Sequence, residues 1–166
     1  MTTITSTILK VGIADLKTTK APNLLKTSGL GSCVGVVVFD STNKIAGLAH
    51  IMLPDSTASK RETNNVMKYA DTAIELLLEE LYQLGAKKYA LKAKMAGGAH
   101  MFSFRSENKM LRIGDRNVEA VRRHLTAQKI PIIAEDVGGN KGRTIEFNVE
   151  TGMLEIRTVN SGIAVI

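Results

Sequence analysis

One side chain in this sequence has the chemistry of a sulfur nucleophile, if a base activates it. Cys33 is the only cysteine of 166 residues, and it lies in the stretch TSGLGSCVG, residues 27–35. A free cysteine is most often a small inert hydrophobe of the core. A free thiol has a pKa of about 8.5, so at neutral pH it needs a neighbouring base before it attacks anything. The chain has three histidines to supply one: His50, His100 and His124. Cys33 begins the apolar run CVGVVVFD, and His50 lies in a second run, IAGLAHIML. The turn-forming residues DSTNK separate them. If the two runs pair as a hairpin about Ser41-Thr42, Asp40 faces Asn43, Phe39 faces Lys44 and Cys33 faces His50. Directly opposed residues share a face of the sheet, close enough for an imidazole to activate a thiol as a thiolate–imidazolium pair. A slip of one residue would put them on opposite faces. His100 follows a glycine pair in a loop, as a ligand contact or an incidental residue. His124, beside Arg122 and Arg123, reads as a solvated surface residue.

The flanking residues suit a nucleophile. Gly29 and Gly31 permit tight turning and close approach of a substrate chain. Backbone N–H groups at Gly31, Ser32 and Cys33 precede the strand ladder, where they are free to line an oxyanion hole.

The remaining segments must position this pair. Leu24–Ser28 reads as a short strand before Gly29. Cys33–Asp40 reads as a strand buried on both faces, and Ile45–Leu53 as its return. Ser59 and Glu62 fit a capping box ahead of a long helix. Its inner stripe is Val66, Ala70, Ala73, Ile74, Leu77, Leu81 and Leu84, and Gly85 stops it. KYALKAKM alternates with period two, which predicts a strand with its lysines on a wet face. A second helix is expected with Asp115 as N-cap and Val118, Val121 and Leu125 inward. PIIAEDVGG then gives a strand, and RTIEFNVETGMLEIRTV a hairpin. The pattern predicts an α+β fold: stacked, mainly antiparallel β-sheets with helices on one face, in a single domain spanning 1–166. Met101 and Phe102, large and apolar in a loop, are either core residues or docking anchors for a partner.

Composition narrows the function classes. Hydrophobic residues make up 44% and charged residues 23%, as in a globular domain with a full core. No apolar run has transmembrane length and the N-terminus lacks a signal pattern, so a soluble cytoplasmic protein without stable membrane insertion is expected. No CxxC or His/Cys cluster suggests a metal, and no cofactor is expected. The net charge is +6, but the basic residues are scattered and aromatics are only 4%, which points away from nucleic acid and toward a mildly basic docking face.

Six segments in order, GLGSCVGVVVFD, GLAHIMLP, KYADTAIELLLEEL, GGAHMF, GDRNVEAV and EDVGGNKGRTIEFNVETG, resemble the chemoreceptor glutamine deamidase family, CheD. The likeness covers residues 8 to 158. It implies an α/β sandwich shared with the catalytic domain of cytotoxic necrotizing factor toxins. It implies hydrolysis of glutamine side-chain amides on methyl-accepting chemotaxis receptors, with glutamate methyl esters as further substrates of some members. The family's Cys–His–Thr triad falls on Cys33, His50 and Thr27, with Thr27 orienting the imidazole. A CheC-type phosphatase is the implied second partner. Two rival readings use the same residues: another papain-like thiol hydrolase, or a non-enzymatic adaptor with an idle thiol.

Overall fold

A computed structural model describes residues 5–58, 65–101 and 112–166. Among the described residues, ten strands form two five-stranded sheets, and two helices cover one of them. The first sheet has the order β1 (Ile8–Lys10), β3 (Leu24–Leu30), β8 (Arg143–Asn148), β9 (Met153–Thr158), β10 (Gly162–Val165). The second has the order β2 (Leu16–Lys20), β5 (Ile45–Ile51), β4 (Val34–Asp40), β6 (Leu91–Gly97), β7 (Ile132–Val137). Only the β1–β3 and β6–β7 pairs are parallel. The expected mainly antiparallel α+β sandwich is what forms.

Strand β4 lies at the centre of the second sheet and is buried along its whole length. Alternation divides its side chains between two cores. Val34, Val36 and Val38 pack with helices α1 (Ala70–Gln83) and α2 (Ile113–Ala127). Val37 and Phe39 turn the other way, into the layer between the sheets, with Leu25, Leu48, Ile145 and Phe147. Phe39 and Phe147 meet there with ring centroids 5.0 Å apart.

Several expectations shift. The β4–β5 hairpin pairs Asp40 with Ile45, Val38 with Gly47 and Gly35 with His50, so His50 faces Gly35 and not Cys33. The loop is longer than the two residues expected because Asp40 builds it. Its carboxylate accepts hydrogen bonds from the Thr42 and Asn43 N–H groups and the Asn43 amide, and Lys44 takes a φ of 55°. A fourth bond comes from the Lys87 N–H. Burial would raise the Asp40 pKa, but these bonds outweigh it and hold the group below its ordinary value.

Helix α1 starts at Ala70. Val66 belongs instead to a separate 3-10 turn, Val66–Lys68, and is 46% exposed. The capping box at Ser59 and Glu62 lies outside the described residues. Asp115 sits in the first turn of α2, and Arg112 occupies the N-cap. Strand β6 has no wet face. The expected alternation begins in a 3-10 turn, Lys88–Ala90, and the opposite sheet covers the lysine side. Lys94 is buried, donating to the carbonyls of Gly152 and Ile166, with its ammonium 5.8 Å from the Phe39 ring centroid. Desolvation, with Lys92 nearby, lowers its pKa.

Candidate active site

The site lies where β3, β4 and β5 end together. Thr27 is near the end of β3, and a register shift in the β3–β8 ladder falls between Thr27 and Leu30. Leu25 and Leu30 are an odd number of residues apart, yet both pack into the inter-sheet cluster, which regular alternation does not give and a bulge allows. The bulge keeps Thr27 pointing between the sheets while the chain turns through Gly29, at φ 72°.

His50 on β5 points into the same layer and is fully buried. Its backbone is held by hydrogen bonds to Ala14 and Asp15. The Thr27 hydroxyl and His50 Nδ1 lie 2.7 Å apart, and the hydroxyl donates to the Val11 carbonyl at 2.8 Å. A hydroxyl has a single proton. With that proton on Val11, Oγ1 is an acceptor toward the imidazole, so Nδ1 carries the ring proton and Nε2 keeps a lone pair. Nε2 is buried, with no hydrogen-bond partner among the described residues.

Cys33 directly precedes β4. Its half-buried side chain packs against the inter-sheet cluster, on the His50 side of the strand. Cys33 stands two positions before Gly35, which faces His50, so thiol and imidazole are diagonal neighbours and not directly opposed. The missing side chain at Gly35 lets Ile145 and Leu30 pack closely against the strand beside Thr27. A Cβ there would meet Ile145 Cδ1 at 2.6 Å and lie 3.6 Å from Thr27 Cγ2. Desolvation lowers the His50 pKa to about 4 and raises that of Cys33, whose own backbone N–H pulls it partly back. Both directions favour a neutral thiol beside a neutral imidazole. The resting thiolate–imidazolium pair expected from sequence is disfavoured because burial removes solvation from the imidazolium wholly and from the thiolate in part.

The turn before Cys33 is tied down through consecutive carbonyls. Gly31 O accepts from the Ala99 N–H at 2.8 Å, Ser32 O from Asn117 Nδ2 at 2.9 Å and Cys33 O from the Gly98 N–H at 2.8 Å. Glycines make this possible. A Cβ on Gly97 would lie 2.3 Å from Cys33 O, and one on Gly114 would lie 2.5 Å from Ala99 O. Beneath this turn Arg143 donates to Gly97 O and Gly138 O. Met101 lies over Gly31, with its Cγ 3.0 Å from where a Cβ would stand. Phe102 lies outside the described residues. His100 is half-buried beside this loop, its N–H on Gly139 O. His124 is not simply solvated, since its Nε2 lies 3.2 Å from Asp55.

Sequence reasoning missed Asn117, which is fully buried and also donates to Met52 O at 2.9 Å. The available signal was a polar residue at helical spacing with Val121 and Leu125 on an apolar stripe.

The family model described as CheD chemotactic sensory transduction matches residues 52–158. A chemoreceptor glutamine deamidase CheD from Halalkalibacterium halodurans is 61% identical over 155 residues, covering 93% of this chain and 96% of that protein. The chain belongs to the CheD family. Its Bacillus subtilis relative, also a chemoreceptor glutamine deamidase CheD, is 52% identical over 162 residues, 98% of each chain. A probable chemoreceptor glutamine deamidase CheD from Oceanobacillus iheyensis is 51% identical over 166 residues, 100% of both chains. The family model begins after His50, whereas this last CheD alignment spans Thr27, Cys33 and His50.

Proposed function

We propose that this CheD protein is a protein-glutamine deamidase of chemotaxis receptors, with Cys33 as nucleophile, His50 as general base and acid, and Thr27 as orienter. The observation that carries the reading is the Val11–Thr27–His50 chain of hydrogen bonds. It fixes the tautomer that leaves Nε2 able to take a proton, on the same side of the sheet as the only thiol. The function named for the CheD relatives supplies the substrate class.

In the proposed reaction Cys33 Sγ attacks the carboxamide carbon as its proton passes to His50 Nε2. The oxyanion forms against backbone N–H groups near Ser32 and Cys33, each donor contributing about 2.7–4 kcal/mol in the transition state. His50 returns the proton to the departing nitrogen, which leaves as ammonia. A thioester remains on Cys33. Water, deprotonated by His50, then attacks the thioester carbon, releasing glutamate and restoring the thiol. Neutral starting groups suit this sequence, because charge develops only as the sulfur–carbon bond forms.

The whole chain acts as one domain in this proposal. Met101 over Gly31 marks the mouth where a receptor helix, or a CheC-type phosphatase, would dock. Among the described residues no helix is long and apolar enough to cross a membrane.

The test is mass spectrometry of a receptor cytoplasmic fragment incubated with the protein, with ammonia measured in parallel. Amide-to-acid conversion with stoichiometric ammonia, lost in Cys33→Ala, is the expected result. Cleavage or amine exchange without ammonia would instead indicate a papain-like hydrolase. Unchanged deamidation by Cys33→Ala overturns the nucleophile, and binding without reaction in the native protein leaves an adaptor.

A further inference from the structure

We infer that Asn117 is a positioning residue that aims the Cys33 N–H at the developing oxyanion and sets the spacing between the nucleophile turn and the strand of the base. This rests on the reading of Cys33 as nucleophile.

Both partners of the Asn117 amide are carbonyls, Ser32 O and Met52 O. Carbonyls only accept, so the amide nitrogen must face them. Ser32 C=O and Cys33 N–H belong to one planar trans peptide and point in opposite directions. Fixing the carbonyl on α2 therefore fixes the N–H within that plane, directed away from Asn117. That N–H belongs to the nucleophile's own residue, the position from which a backbone donor serves the oxyanion in serine hydrolases. An acyl carbon bonded to the Cys33 sulfur would place its oxyanion against the same N–H.

The neighbouring carbonyls, Gly31 O and Cys33 O, are held by backbone N–H groups of Ala99 and Gly98. Asn117 is the side-chain clamp among these three, and so the one a substitution can remove. Its second bond reaches Met52, two residues beyond His50, so a single amide spans the nucleophile turn and the end of β5. Core filling does not explain the residue. It stands on an apolar stripe, and its Oδ1 is buried without a partner among the described residues, an unfavourable arrangement that leucine would avoid.

Two reactions of Cys33 in the full-length protein separate this role from a structural one. Alkylation by iodoacetamide displaces iodide at a saturated carbon and makes no oxyanion. Acylation by p-nitrophenyl acetate passes through one. Asn117→Ala is expected to leave the alkylation rate and its pH profile within about twofold. Acylation, and kcat for a receptor fragment, should fall by about 10²-fold with KM unchanged. Asn117→Ser, with a shorter donor, serves if the alanine variant does not fold. Parallel loss of alkylation and acylation overturns the proposal, as does acylation at the native rate or failure of both variants to fold. If the native protein is acylated yet deamidates no receptor fragment, the substrate assignment falls while the acylation-to-alkylation ratio still judges Asn117. A native protein that is alkylated but never acylated overturns both.

Discussion

Thr27→Val tests whether the threonine acts through its hydroxyl. Valine keeps the branched shape and suits a strand. It replaces Oγ1, which serves Val11 O and His50 Nδ1, with a methyl group. Thr27 is 2% exposed and His50 is fully buried, so water does not replace the lost bonds without rearrangement. Each buried group left unsatisfied costs about 1–3 kcal/mol. Two such groups give about 3 kcal/mol if the site relaxes partly, and a melting temperature lower by about 6–12 °C for a domain of this size. Folding survives if total stability is in the ordinary range of about 5–15 kcal/mol. Activity should suffer more than stability suggests. With no acceptor at Nδ1 the imidazole is free to move its proton to Nε2, the tautomer that cannot act as base, and misalignment of this kind costs about 10²-fold. Deamidation is measured well below the variant's melting temperature, beside Thr27→Ser, which keeps the hydroxyl and loses only a methyl. Serine should restore most of the rate. If valine is as active as the native protein, or serine as inactive as valine, the hydroxyl does not orient His50.

Acid should destabilise the protein through His50. Its folded pKa of about 4 lies below its ordinary 6.5, so the unfolded chain binds the proton more tightly. The stability this protects is intact above about pH 6.5 and is lost as pH falls toward 4, reaching about 3 kcal/mol. Urea unfolding of the native protein and His50→Asn across that range should show the difference, and parallel curves would refute it. Gly97→Ala should cost about 3 kcal/mol or more, since φ is 115° and the new Cβ would strike Cys33 O. Gly12→Ala, where a Cβ meets nothing within 4 Å, should stay within about 0.5 kcal/mol in the same thermal melts; equal costs would deny the close approach.

The central elements were legible because their signals are local. Strand β4 shows as an unbroken apolar run, and α1 as a stripe from Ala70 to Leu81. Cys33 and His50 stood out by rarity and chemistry. Their register did not, because the Asp40 carboxylate gathers a longer loop than its turn-like composition specifies. The shared face survived that error because the shift was an even number of residues. Lys94 misled because an alternating lysine reads as solvent-facing, and the carbonyls that receive it are 58 and 72 residues away in the chain. Strands β1, β2 and β10 are short, with Lys and Thr or small residues, and depend on their neighbours for pairing. Asn117 was hidden for the same reason as Lys94: its partners lie 65 and 85 residues away.

Those separations bear on when the thiol becomes competent. The Cys33 turn takes its shape from Ala99, Gly98 and Asn117, and His50 takes its tautomer from Thr27 on the other sheet. Each contact closes a long loop, and such contacts form late in folding. On the proposed mechanism, a nascent or partly folded chain therefore carries the cysteine without the arrangement that makes it a deamidase nucleophile.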